Sequence, residues 1–163
     1  TCFLGSRILA PRSRYAEVVD ALADLVNGFT VGDPLDSATD IGPVVSARQR
    51  DRVLGYIEDA RNSSARLVVG GGVPRNQPRG WFVSPTVFAD VDNSSRIAQE
   101  EIFGPVLAVI AYDSDEHAIA LANDSEFGLA GTVWSSDDER ATEVGLAGGL
   151  ADHGGSQRRR RSG

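Results

Sequence analysis

Lysine and methionine are both absent from the 163 residues, and cysteine and histidine are scarce. Without lysine, the chain forms neither a lysine-dependent phosphate loop nor a Schiff base with a carbonyl compound or pyridoxal phosphate. A single cysteine, Cys2, excludes an internal disulfide and the thiolate-rich zinc and iron–sulfur sites. Because His117 and His153 are the two histidines, we also expect no metal centre.

Long apolar runs are missing as well. No run approaches the roughly 20 residues that a membrane-spanning helix needs, and no segment resembles a signal peptide. Apolar residues make up 41% of the chain, which is enough for one domain with a buried core. We therefore expect a cytoplasmic protein without a membrane partner.

The charge is unevenly distributed along the chain. The net charge is −7, and all 16 basic residues are arginine, four of them consecutive at Arg158–Arg161. Residues 148–163 are rich in glycine, serine and arginine without apolar periodicity, which predicts a disordered basic tail. The arginine run has no interleaved aromatic residues and follows an acidic body, so no nucleic-acid partner is predicted.

Short apolar segments alternate with helical patterns of about ten residues, which predicts an α/β fold with a largely parallel sheet flanked by helices. Pro85 interrupts one of these segments, so that segment is predicted to be an irregular strand pair or an edge strand. The predicted strands are residues 7–10, 67–69, 81–87, 106–112 and 132–134.

Serine residues three positions before a glutamine or a glutamate mark helix starts. Ser46 with Gln49, and Ser136 with Glu139, have the spacing of a capping box. Ser13 is predicted to cap the first helix, and a further helix is predicted over residues 116–123. The first helix should bury Val18, Leu22, Leu25, Val26 and Phe29, and the second Val53, Leu54, Ile57 and Ala60.

Candidates for chemistry are few. Cys2 is the strongest nucleophile by residue type, although a lone cysteine is more often an inert small residue. The three glycines at 70–72 are predicted to form a turn, since no lysine, serine or threonine follows at phosphate-loop spacing. A Ser–His–Asp site is not favoured, because His117 lies at a helix start and His153 in the tail.

The segment Gln99–Val106 is the exception. It carries two carboxylates, an aromatic residue and a Gly-Pro turn directly before the predicted 106–112 strand. One interpretation is a strand entry with capping acids. The other is a loop that presents a carboxylate to sugar hydroxyls and an aromatic face to a planar ring.

Six ordered motifs resemble the NAD(P)-dependent aldehyde dehydrogenase superfamily. The segment Glu100–Pro105 is similar to the family's EEIFGP motif, and Thr1-Cys2 with the strand after it is similar to the catalytic-cysteine segment. The resemblance extends from Thr1 to about Val144. The other matching segments are Gly32–Asp36, Ile41–Pro43, Gly80–Val87, and Ala118–Asn123 with Phe127–Gly131.

The resemblance implies an enzyme that oxidises an aldehyde to a carboxylate with NAD or NADP through a thiohemiacetal and a thioester. Cys2 would be the catalytic nucleophile, Glu101 would hydrogen-bond the nicotinamide-side ribose, and Phe103 would pack beside the nicotinamide. The small-molecule aldehyde would be the substrate, and the parent enzyme would be a homo-oligomer. No resident metal is implied.

The resemblance also implies that residues 1–147 are part of an aldehyde dehydrogenase catalytic domain, truncated at both ends, with residues 148–163 as the tail. The family's dinucleotide-binding domain, general-base glutamate and oxyanion-hole asparagine have no counterpart among these residues. The isolated chain is therefore expected to be inactive. The alternative is a truncated, non-catalytic remnant or interaction module that pairs through exposed sheet edges.

Overall fold

The computed structural model describes residues 5–77 and 79–148. These residues form two compact units, one comprising Ser6–Ser114 and the other Gly5 with residues from Asp115 onward. Cys2 and all but the first residue of the predicted tail lie outside the described residues.

The first unit is built on a four-stranded sheet in the order β1-β4-β3-β2. β1 pairs with β4 and β4 with β3 in parallel, whereas β3 pairs with β2 in antiparallel. The sheet is therefore largely parallel, and helices flank it, as the sequence predicts. The strands are β1 Arg7–Pro11, β2 Arg66–Val69, β3 Thr86–Ala89 and β4 Val106–Tyr112.

The position of β3 in the sheet differs from the prediction. The irregular strand pair or edge strand expected over residues 81–87 is instead an interior strand that begins at Thr86, and all four of its residues are buried. Pro85 lies immediately before it, so the missing proline N–H removes no hydrogen bond from the ladder. The Thr86 N–H already donates to the Pro105 carbonyl, at 2.8 Å.

α1, Tyr15–Asn27, begins later than predicted, because residues 12–14 form a 3₁₀ turn and Ser13 does not cap the helix. The inward face of α1 also differs from the prediction, since Leu25 and Phe29 are 57% and 37% exposed. Residues spaced by four, three and four form the inward stripe, and this spacing places Leu25 to one side of it. The stripe is Tyr15, Val19, Leu22 and Val26, and the predicted Val18 also packs against this core.

α2, Ala47–Arg61, starts as predicted: the Ser46 hydroxyl oxygen accepts a hydrogen bond from the Gln49 backbone N–H, at 3.1 Å. The Gln49 side chain does not return to Ser46 and bonds elsewhere, so the capping box is half formed. The helix buries Val53, Tyr56, Ile57 and Ala60, whereas Leu54 is half-buried. A short helix, α3 Arg96–Gln99, precedes β4.

The second unit contains α4, Asp115–Asn123, and α5, Asp138–Ala147. The carboxylate of Asp137, not Ser136, caps α5 by accepting from the N–H groups of Glu139 and Arg140. The strand predicted over 132–134 is wrong: those residues join no sheet in the part of the chain that is described. A strand requires a neighbour to bond with, and this unit supplies none among residues 115–148. No helix within the described ranges has both the length and the apolarity to cross a membrane.

Candidate functional site

The loop between α3 and β4 places the two predicted cofactor-binding residues on either side of a buried anchor. Ile102 is 2% exposed and belongs to the core. Glu101, before it, is half-buried, and Phe103, after it, is 66% exposed. The core therefore fixes the middle of the loop while its flanking side chains stay accessible.

Phe103 has an unusual backbone. Its φ is +53°, in the left-handed region that non-glycine residues rarely occupy. The left-handed conformation costs roughly 1–2 kcal/mol for such a residue, and the exposed ring gains no burial in return. Strained backbone of this kind is concentrated at functional sites, but Asp90, outside this loop, shares it with a φ of +57°, so the strain by itself assigns no role.

Side chains of α2 hold the loop by its backbone. The Gln49 Nε2 donates to the carbonyls of Ile102 and Phe103, at 2.8 and 3.0 Å. The Arg52 guanidinium donates to the Glu101 carbonyl, at 3.0 Å. Three successive carbonyl oxygens are thus satisfied from one helix.

The loop also packs closely against α2. A Cβ added to Gly104 would lie 2.6 Å from Cγ2 of Val53, which is fully buried. Side-chain carbon atoms do not approach so closely, so any larger residue at this position would push the loop away from the helix. Glycine is required here by the approach of the two elements.

The two adjacent glutamates have different environments. Glu100 accepts a hydrogen bond from the buried Tyr56 hydroxyl, at 2.5 Å, and another from Arg96 Nε, at 3.1 Å. The Arg96 guanidinium lies 4.2 Å from the Tyr56 ring centroid, and Asp59 pairs with it as well. Hydrogen bonds from Tyr56 and then Arg96 lower the pKa of Glu100. Glu100 is therefore committed to a structural network.

The Glu101 carboxylate, by contrast, lies outside this network. Across residues 5–77 and 79–148, its carboxylate makes no hydrogen bond or ion pair. A carboxylate two positions before an exposed aromatic residue can accept hydrogen bonds from a diol if the ring contacts a planar group. Binding of a ribose joined to an aromatic base by this loop stays a prediction.

The sequence interpretation missed three residues of this site. Gln49, Arg52 and Tyr56 follow a helical spacing of three and four, beside the apolar face of α2. Polar residues at this spacing, beside the buried face of a helix, indicate that a second element packs against that helix. The capping-box pattern concealed it, because it assigned the Gln49 side chain to the helix terminus.

The remaining candidates have plainer roles or lie elsewhere. Gly70 and Gly71 have φ of +77° and +92°, and the Gly71 N–H donates to the Thr86 hydroxyl, at 2.9 Å. The triglycine therefore belongs to the turn that follows β2. His117 lies in the first turn of α4. Cys2 and His153 lie outside the described residues, so the role of Cys2 stays a prediction.

Removal of the Tyr56 hydroxyl should weaken the acid dependence of stability. The pKa of Glu100 is lowered in the folded chain, so its contribution is present above its ordinary value of about 4.3 and is lost as pH falls through the folded value. In Tyr56→Phe, urea unfolding should show lower stability at pH 7, and the difference from the original chain should shrink below about pH 4. A constant difference across this range would contradict the assignment.

Tyr112→Phe is the matched control for that experiment. Tyr112 lies in β4, and its hydroxyl makes no hydrogen bond within the described part of the chain. Its unfolding curves should follow those of the original chain at every pH.

Taken together, the sheet and the loop define an α/β protein with a candidate functional site at residues 101–103. Residues 1–147 match the aldehyde dehydrogenase family. The chain belongs to the aldehyde dehydrogenase family.

Curated relatives agree with this assignment. The chain is similar to a geranial dehydrogenase of Castellaniella defragrans, with 59% identity over 143 residues, which cover 88% of this chain and 30% of the relative. It is also similar to a betaine aldehyde dehydrogenase of Rhizobium etli, with 46% identity over 144 residues and the same coverage. The chain thus spans about 30% of the length of these relatives.

Solved structures agree as well. An aldehyde dehydrogenase of Mycobacterium tuberculosis, complexed with NAD+, is 54% identical, with a TM-score of 0.87 over 90% of this chain and 30% of that one. A betaine aldehyde dehydrogenase of Staphylococcus aureus, also in complex with NAD+, is 40% identical, with a TM-score of 0.88 over 92% of this chain and 30% of that one.

Proposed function

We propose that this chain supplies catalytic and cofactor-binding residues of an NAD(P)-dependent aldehyde dehydrogenase, which oxidises an aldehyde to a carboxylate. The observation that carries the proposal is the Glu101–Phe103 loop. In a chain of this family, a carboxylate that has no partner among the described residues lies two positions before an exposed aromatic residue on a strained backbone. Family membership does not favour the non-catalytic alternative.

The residues of the loop fit a nicotinamide riboside. The Glu101 carboxylate would accept hydrogen bonds from the ribose hydroxyls, and the Phe103 ring would pack beside the nicotinamide. NAD+ or NADP+, when bound, supplies the hydride acceptor. The similar M. tuberculosis enzyme, which was crystallised with NAD+, supports this choice of cofactor.

Cys2 would carry the covalent chemistry. Its thiolate would attack the aldehyde carbon, and the Cys2 backbone N–H would help stabilise the oxyanion that forms. Loss of hydride from the tetrahedral carbon leaves a thioester on Cys2, and hydrolysis of this thioester releases the carboxylic acid. By the same family resemblance, we propose that the enzyme is a cytoplasmic homo-oligomer.

A graft tests the proposed function. Residues 1–147 of this chain would replace the matching segment of the C. defragrans geranial dehydrogenase, and we call this protein the graft. We expect the graft to oxidise geranial with NAD+ or NADP+, followed by the absorbance of the reduced nicotinamide.

The 163-residue chain alone is the control, and it should show no turnover. Correct positioning of hydride donor and acceptor contributes roughly 7–11 kcal/mol to such a reaction, and these residues contain no dinucleotide-binding domain. A graft that folds and binds the dinucleotide but does not turn over would contradict the proposal.

A further inference from the structure

We propose that α2 is a positioning element for the dinucleotide: Gln49 and Arg52 fix the backbone of residues 101–103 and thereby aim Glu101 and Phe103 at the ligand. This inference rests on the proposed function for the identity of the ligand. Its structural part depends on the contacts of the first unit alone.

The Gln49 amide selects one backbone conformation. It donates to two successive carbonyls, Ile102 and Phe103. In an extended chain, successive carbonyls point to opposite sides, so one amide cannot reach both. The left-handed φ of Phe103 accompanies their convergence. The two hydrogen bonds therefore compensate for a conformation that a phenylalanine otherwise avoids.

Arg52 fixes the residue on the other side of the anchor. One of its terminal nitrogens donates to the Glu101 carbonyl, at 3.0 Å, and to the Tyr56 hydroxyl, at 2.8 Å. Tyr56 is fully buried and bonds to Glu100. Arg52 is thus itself held in place, and it connects the backbone of the loop to the core of α2.

These contacts leave the functional groups untouched. Gln49 and Arg52 bond to backbone carbonyls, so neither occupies the Glu101 carboxylate nor covers the Phe103 ring. Burial of Ile102 would keep the loop attached to the core without them, but it does not determine the conformation of Phe103. A backbone clamp that spares both side chains is what a preorganised ligand site requires.

Chymotrypsin cleavage of the full 163-residue chain tests the structural part. Cleavage after Phe103 requires local opening of the loop, and its rate follows the population of the open form. Gln49→Met keeps the size and helix propensity of the side chain and removes its donors. We expect Gln49→Met and Arg52→Met each to accelerate cleavage after Phe103 by about five- to tenfold.

Two references separate local from global effects. Phe88 is fully buried in β3, so cleavage after it reports unfolding of the whole sheet and should not change. Arg48→Met, at an exposed position of the same helix, makes the same charge change as Arg52→Met and should have no effect. Arg52→Lys retains a donor and should restore slow cleavage at Phe103.

Two results of this experiment would overturn the proposal. One is an unchanged rate at Phe103. The other is an increase shared equally by Phe88, which would assign Gln49 and Arg52 to general stability. If Gln49→Met does not fold, Gln49→Asn, whose amide is one methylene too short, decides the same question.

Steady-state kinetics of the graft with the dinucleotide test whether α2 orients Glu101 and Phe103 toward it. Gln49→Met should raise KM for the dinucleotide about five- to tenfold and leave KM for geranial unchanged. Equal changes in both constants would overturn the positioning role. If the unmodified graft is inactive, the proposed function has failed, and the proteolysis result still decides whether α2 holds the loop.

Discussion

Cys2→Ala is expected to reduce aldehyde oxidation by the graft by about 10⁴-fold or more in kcat/KM. The thiolate forms the bond that converts the aldehyde into a species able to lose hydride, and alanine cannot form it. Because the remaining residues of the site act on the same covalent intermediate, they cannot compensate. The absorbance of the reduced nicotinamide measures the loss.

Dinucleotide binding distinguishes this loss from misfolding. Alanine at position 2 removes a nucleophile and leaves the Glu101–Phe103 loop intact, so the affinity of the graft for NAD+ should stay within error of the original. Turnover that persists in Cys2→Ala would exclude Cys2 as the nucleophile. Loss of both turnover and binding would mean that the substitution acts on the fold.

Gly70→Ala is expected to destabilise the first unit by about 3 kcal/mol or more. Gly70 has φ +77°, and an added Cβ would lie 2.0 Å from the Pro85 carbonyl oxygen. Both the strained backbone and the collision with a main-chain atom must be relieved, which would move β2 away from the entry of β3. The shift of the urea unfolding midpoint measures the effect.

Gly72→Ala is the control within the same triglycine. An added Cβ at Gly72 meets nothing within 4 Å, and its φ is not positive. Its free energy of unfolding should stay within about 0.5 kcal/mol of that of the original chain. Equal destabilisation by both substitutions would contradict the structural explanation of this turn.

The sequence predicted the class of fold better than the helix faces. β1, β2 and β4 lie close to the predicted segments 7–10, 67–69 and 106–112, whereas the predictions over 81–87 and 132–134 needed correction. The inward face of α1 was misjudged because Leu25 and Phe29 are as apolar as Val19. Hydropathy alone does not report which of two adjacent stripes a sheet will cover.

The candidate site, too, could be predicted only in part from the sequence. The motif indicated Glu101 and Phe103, and the accessible positions of both agree with a binding role, which stays a prediction. The left-handed backbone of Phe103 and the bonds from Gln49 and Arg52 could not be predicted, because they join residues about 50 positions apart. Such bonds depend on how α2 docks, which local patterns do not encode.

The pairing of β1 with β4 has a consequence for synthesis of the protein. Arg7 pairs with Ala108, and Arg12 forms an ion pair with Asp113, which is 101 residues away. At roughly 5–20 residues per second, the ribosome makes β4 about 5–20 seconds after β1. During this interval β1 lacks β4, the strand with which it pairs among the described residues. We expect nascent chains that stop before residue 106 to depend on chaperones, and this dependence should fall sharply once residue 112 has left the ribosome.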